Sequence, residues 1–174
     1  AHDTPRKEQK ISLSPSYTEI FEHAFDLLGQ AADTGSKRVA QRCRNHAAAL
    51  VLLCPFPLRV ADTQLRFGEN VTWDGEQYNL FVPATSKTGE PFHARVASFF
   101  ELFIDELVLQ GADRAYLDEL RHRASAQKRL LFESHGSEPV FDAYVSYAWR
   151  ETYGTGSHIA RTKIHDELAI HGLK

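Results

Sequence analysis

Residues 47–54 read Ala-Ala-Ala-Leu-Val-Leu-Leu-Cys, an unbroken apolar run. A helix that is apolar on every side offers no face to water, so it belongs at the centre of a core. Pro55 and Pro57 forbid its continuation, because proline lacks an N–H and clashes with the preceding turn. The chain therefore leaves the core here and delivers Leu58 and Arg59 to the next element. An arginine at such a junction demands an anion, since burying a cation costs several kcal/mol unless it is paired. Asp62, three residues on, shares a helical face with it and is the local partner. The planar guanidinium also suits a phosphate, to which it donates two parallel hydrogen bonds.

The remaining pattern arranges itself around this helix. Ser14 and Pro15 predict a helix start, a capping hydroxyl followed by proline at the first helical position. Ile20, Phe21, Ala24, Phe25, Leu27 and Leu28 continue it at helical spacing, and residues 29–35 close it. The apolar helix begins near Ser36. Residues 71–73 and 78–82, around Asp74-Gly75, predict a β-hairpin, and residues 92–96 a third strand after a turn at Ser86-Lys87-Thr88-Gly89. Phe99, Phe100, Phe103, Ile104 and Leu107 mark a helix over residues 98–110, ended by Gly111. Another is expected around Tyr116, Leu117 and Leu120. Pro139 opens a further helix with Phe141, Tyr144, Val145 and Trp149, and Ser157 caps a last one to about His171. The expected fold class is α+β, mostly α, with a small three-stranded antiparallel sheet. Residues 1–13 are expected to be a tail or linker and residues 14–174 one domain.

Composition narrows the partners. The chain has 174 residues, is 43% hydrophobic and 25% charged, and carries a net charge of −3. No run approaches the roughly 20 apolar residues of a membrane span, so no membrane partner is expected. The polar N-terminus and two cysteines without ligand spacing fit a reducing cytoplasm. The nine histidines carry no metal-ligand spacing, so no metal and no cofactor is expected. Basic residues gather in two places, Lys37, Arg38, Arg42 and Arg44, then Arg121, Arg123, Lys128 and Arg129. A one-sided distribution of that kind allows a phosphate-binding face on an acidic protein. Methionine is absent and the chain starts at Ala1, which suggests a fragment, a processed product or methionines left out because they are modified.

Three features then fall in line: Arg59 after the buried helix, Lys87 on a β-turn, and His158-Ile159-Ala160-Arg161 opening the last helix. His158 and Arg161 share a face at the positive end of a helix dipole, where an anion is favoured. The set resembles the catalytic domain of the tyrosine recombinases, the phage-integrase family. In that family an arginine sits in a Leu-Arg-x-x-acid turn after a buried helix, as in Leu58-Arg59-Val60-Ala61-Asp62. A lysine lies on the turn between the second and third strands, often in Ser-Lys-Thr-Gly, as at residues 86–89. A second arginine closes a His-x-x-Arg box, as His158 and Arg161 do. Order and spacing agree over nearly the whole chain. Ala160 and Thr162-Lys163 depart from the residues that commonly flank the box.

The resemblance implies an integrase-like, DNA breaking-rejoining fold and site-specific recombination of double-stranded DNA. A tyrosine attacks the scissile phosphate, leaving a 3′-phosphotyrosyl link and a free 5′-hydroxyl, with no ATP. Arg59 and Arg161 would stabilise charge on the non-bridging oxygens. Lys87 would protonate the leaving oxygen, His158 would donate to the phosphate, and Asp62 would hold Arg59. Arg42, Arg44, Arg129 and Lys163 are the expected contacts to the DNA backbone. A homo-oligomer on DNA, a tetrameric synapse, and a nucleoid-associated location in a bacterial or phage-derived setting are implied as well. All six tyrosines precede Arg161. The nucleophile is therefore expected beyond Lys174, and residues 1–174 are expected to bind DNA without a covalent adduct. The alternative is a non-catalytic, integrase-like DNA-binding module.

Overall fold

A computed structural model describes residues 16–133, apart from Cys54, Pro57 and the side chain of Val60. The first helix, α1, is Tyr17–Asp33. Its cap is Ser16, two residues later than the sequence suggests: Ser16 Oγ accepts from Glu19 N, and the Glu19 carboxylate returns to Ser16 N. Reciprocal bonding of this kind satisfies two of the orphan donors at a helix start, and Ser14 and Pro15 lie outside the described residues. Gly29 does not end α1, which runs on to Asp33. A glycine inside a helix costs only about 1 kcal/mol, and the buried face of Leu27 and Ala31 outweighs it.

Ser36 Oγ accepts from Val39 N at the head of the second helix, α2, Lys37–Leu53. Every side chain from Ala47 to Leu53 is buried, as an all-round apolar helix requires. It packs against α1 on one side and α3, Ser98–Leu109, on another. Phe21 of α1 reaches α3 as well, its ring centroid 4.4 Å from Phe99 and 5.9 Å from Phe103.

Strands β1 (Val71–Trp73), β2 (Tyr78–Val82) and β3 (Phe92–Arg95) form an antiparallel sheet in the order β1-β2-β3. Val71 pairs with Leu80, and Val82 with Phe92. Asp74 sets the first turn by accepting from the N–H groups of Glu76 and Gln77, at 2.9 and 3.0 Å. Tyr78, Leu80 and Val82 turn inward at period two, and Leu80 and Val71 share an apolar space with Leu52, Leu53 and Ile104 of the helices. The short helix α4, Leu117–Ala126, completes the described residues. The architecture is mixed α+β with one small antiparallel sheet. None of the described helices is long and apolar enough to cross a membrane. The two helices expected after Pro139 lie outside the described residues.

Candidate functional site

Leu58 is 1% exposed and anchors the chain in the core immediately after α2. The next residue, Arg59, is exposed. A single 3-10 turn, Val60–Asp62, follows. Asp62 N donates to Arg59 O at 2.9 Å, while Arg59 N donates to Asp62 Oδ2 at 2.9 Å. The turn is thus closed in both directions. The Asp62 carboxylate thus holds the main chain of Arg59.

The same carboxylate reaches a second turn. Ser86 N donates to Asp62 Oδ1 at 2.7 Å, and Ser86 Oγ donates to Asp62 Oδ2 at 3.0 Å. Asp62 is 8% exposed. Burial alone would raise the pKa of its carboxyl, but the N–H groups of Arg59 and Ser86, the Ser86 hydroxyl and the Arg59 charge prevail and lower it. It is an anion at neutral pH with both oxygens occupied.

Lys87 follows Ser86 on a turn stitched from within. Gly89 N donates to Thr85 O at 2.8 Å, and Thr85 N donates to Glu90 O at 2.9 Å. The hydroxyls of Thr85 and Thr88 lie 3.0 Å apart. Gly89 has φ +72°, the left-handed conformation that glycine adopts without strain. Lys87 is exposed at the crest. Two cations far apart in sequence, Arg59 and Lys87, therefore project from turns joined beneath by one buried carboxylate. His158, Arg161 and Lys163 lie outside the described residues.

The basic clusters need correction. Arg44 is buried on α2 with Nε 3.9 Å from Glu106 Oε2, so it faces the protein and not a DNA backbone. Arg129 is likewise in structural use. Its Nη2 donates to Leu107 O at 2.6 Å and to Val108 O at 3.4 Å, covering the open carbonyls at the end of α3. Burial lowers the pKa of its guanidinium, against the opposing pull of Glu133. The rest of the second cluster is neutralised. Arg123 pairs with Glu119 at 2.6 Å, and Lys128 with Glu69 at 2.7 Å. Arg42 stays exposed on α2.

Arg121 is the residue that sequence reasoning misjudged most. Its Nη2 lies 2.9 Å from Asp105 Oδ1, its Nε donates to Tyr78 Oη at 2.8 Å, and its guanidinium carbon sits 3.7 Å from the Trp73 ring centroid. Tyr78 Oη in turn donates to Asp105 Oδ1 at 2.6 Å. Burial first, then Asp105, pushes the Tyr78 hydroxyl far up in pKa, so it remains protonated. This network ties β1, β2, α3 and α4 together, and charge in a sequence window gives no sign of it. An aspartate amid the apolar positions of α3 was the one available hint. No family model, no curated protein and no solved structure matches this chain.

Proposed function

We propose that this domain binds the phosphodiester backbone of double-stranded DNA at the two turns that carry Arg59 and Lys87, as the charge-stabilising part of a tyrosine-recombinase active site. The observation that carries the reading is the Asp62 carboxylate bridging the Arg59 turn and the Ser86-Lys87 turn. In the resembling family those two turns hold the first arginine and the general-acid lysine. Arg59 then neutralises a non-bridging oxygen, and Lys87 stands over the 5′-oxygen that must leave with a proton. His158 and Arg161 supply the other side of the phosphate on this reading. The integrase-like fold, the tyrosine nucleophile, the oligomer on DNA and the nucleoid location belong to the same proposal. With Arg44 and Arg129 in structural use, the DNA contacts narrow to Arg42, Lys163 and the site itself.

The test is the salt dependence of binding to a short mixed-sequence duplex, read by fluorescence anisotropy. Each phosphate contact releases condensed counterions, so log K should fall with log salt at a slope of about −0.9 per contact. Arg59→Ala and Lys87→Ala should each weaken binding and each reduce the slope by about 1. Arg59→Lys should not restore it, because the fork geometry is lost. Affinity that ignores salt, or variants that bind like the parent, would sink the DNA reading.

A further inference from the structure

The residue that meets Asp62 on the second turn is Ser86. It makes a two-point contact on its own: the N–H to one carboxylate oxygen at 2.7 Å, the hydroxyl to the other at 3.0 Å. Both bonds run to an ionised acceptor and are thus of the stronger, charge-assisted kind. They act on a turn whose crest, from Ser86 on, is exposed. The Thr85, Gly89 and Glu90 bonds close the turn upon itself. Strand pairing between β2 and β3 ends at Val82 and Phe92, well before the crest. Among the described residues, the Ser86–Asp62 hydrogen bonds tie the crest to the junction after α2.

That contact lies one residue from Lys87. A lysine carries a point charge on a flexible four-carbon stem, so the place its ammonium reaches depends on how its Cα is held. We propose that Ser86 is a positioning residue: through Asp62 it clamps the Lys87 turn to the Arg59 junction, so that both cations address one phosphodiester as a unit. This rests on the proposed DNA binding and adds a positioning residue to that same site. Alanine at residue 86 would keep the N–H bond and lose the hydroxyl bond. Threonine would keep both.

A double-mutant cycle on duplex binding separates the possibilities, with thermal melting as a check of folding. Ser86→Ala should weaken binding by about three- to tenfold, up to about 1.4 kcal/mol. It should also lower the salt slope as Lys87→Ala does, which simple destabilisation would not. In a Lys87→Ala background Ser86→Ala should have no further effect, and Ser86→Thr should behave as the parent. If Ser86→Ala melts below the assay temperature, Ser86→Cys takes its place in the cycle. Losses from Ser86→Ala and Lys87→Ala that simply add, or a Ser86→Ala protein that binds with parental affinity while Lys87→Ala does not, overturn the positioning role and leave the DNA reading standing. Arg59→Ala and Lys87→Ala proteins that both bind as the parent overturn both.

Discussion

Asp62 shows how much a single carboxylate can be asked to hold. Three hydrogen bonds converge on it from two turns, and its folded pKa lies below the ordinary carboxylate value. A depressed pKa stabilises the fold above the unfolded pKa and loses that contribution as pH falls through the folded one. Stability should therefore hold near neutrality and decline as pH drops below the usual aspartate range. Asp62→Asn should cost about 1–3 kcal/mol at pH 7 and flatten that decline. Urea denaturation across an acid pH series reads both; an unchanged acid slope in the variant would show that Asp62 does not carry it. The sequence supplied Asp62 because its spacing from Arg59 is local. Ser86 lies 24 residues away along the chain, and no periodicity reports such a meeting. Arg44, Arg121 and Arg129 were read as surface charge for the converse reason. Composition counts a guanidinium without saying whether carbonyls, a carboxylate or an indole already surround it.

At the scale of elements, the parts that came out as expected are those whose signals are local. Asp74-Gly75 between two β-rich runs is enough for a hairpin, since the turn and the strand pattern agree. The start of α1 is set by bonding, the reciprocal pair of Ser16 and Glu19. Glycines divide in the same way. Gly75 has φ +104° with open space where a Cβ would stand, whereas Gly68 has φ +80° with a Cβ position 2.6 Å from Ser125 O. Gly75→Ala should cost about 1–2 kcal/mol, the penalty of the left-handed conformation alone. Gly68→Ala adds a collision with the backbone of α4 and should exceed it by a further 1–3 kcal/mol or so. Thermal melts of the two variants compare them directly, and equal losses would mean that α4 gives way freely.

Across the whole molecule, the sheet and the helices are joined by polar as well as apolar contact. Asp105 is buried and accepts from Tyr78, Arg121 and Arg114. Removing it leaves the guanidinium of Arg121, whose side chain is 10% exposed, without its main counter-charge. Asp105→Ala is expected to cost about 3–5 kcal/mol, as breaking a buried pair does. Arg123→Ala, which opens an exposed pair with Glu119, should stay within about 1 kcal/mol. Chemical denaturation of both variants measures the contrast, and similar losses would mean that the Asp105 network is no stronger than a surface pair. Duplex affinity should follow neither change, since both residues lie apart from Arg59 and Lys87 in their bonding.

The segment just after Asp62 is pinned by a much later one. Leu131 N donates to Leu65 O at 2.8 Å, Phe67 N donates to Arg129 O at 2.9 Å, and Arg66 forms an antiparallel bridge with Leu130. Leu65 and Leu131 are 66 positions apart, the difference of their residue numbers. Bringing such distant stretches together costs loop entropy before any contact rewards it. During synthesis, Asp62, Ser86 and Lys87 all leave the ribosome well before Leu131, and so before the segment that pins the neighbouring backbone exists. The backbone beyond Asp62 is thus made before the stretch that pins it and is held there only once residues 129–131 have followed.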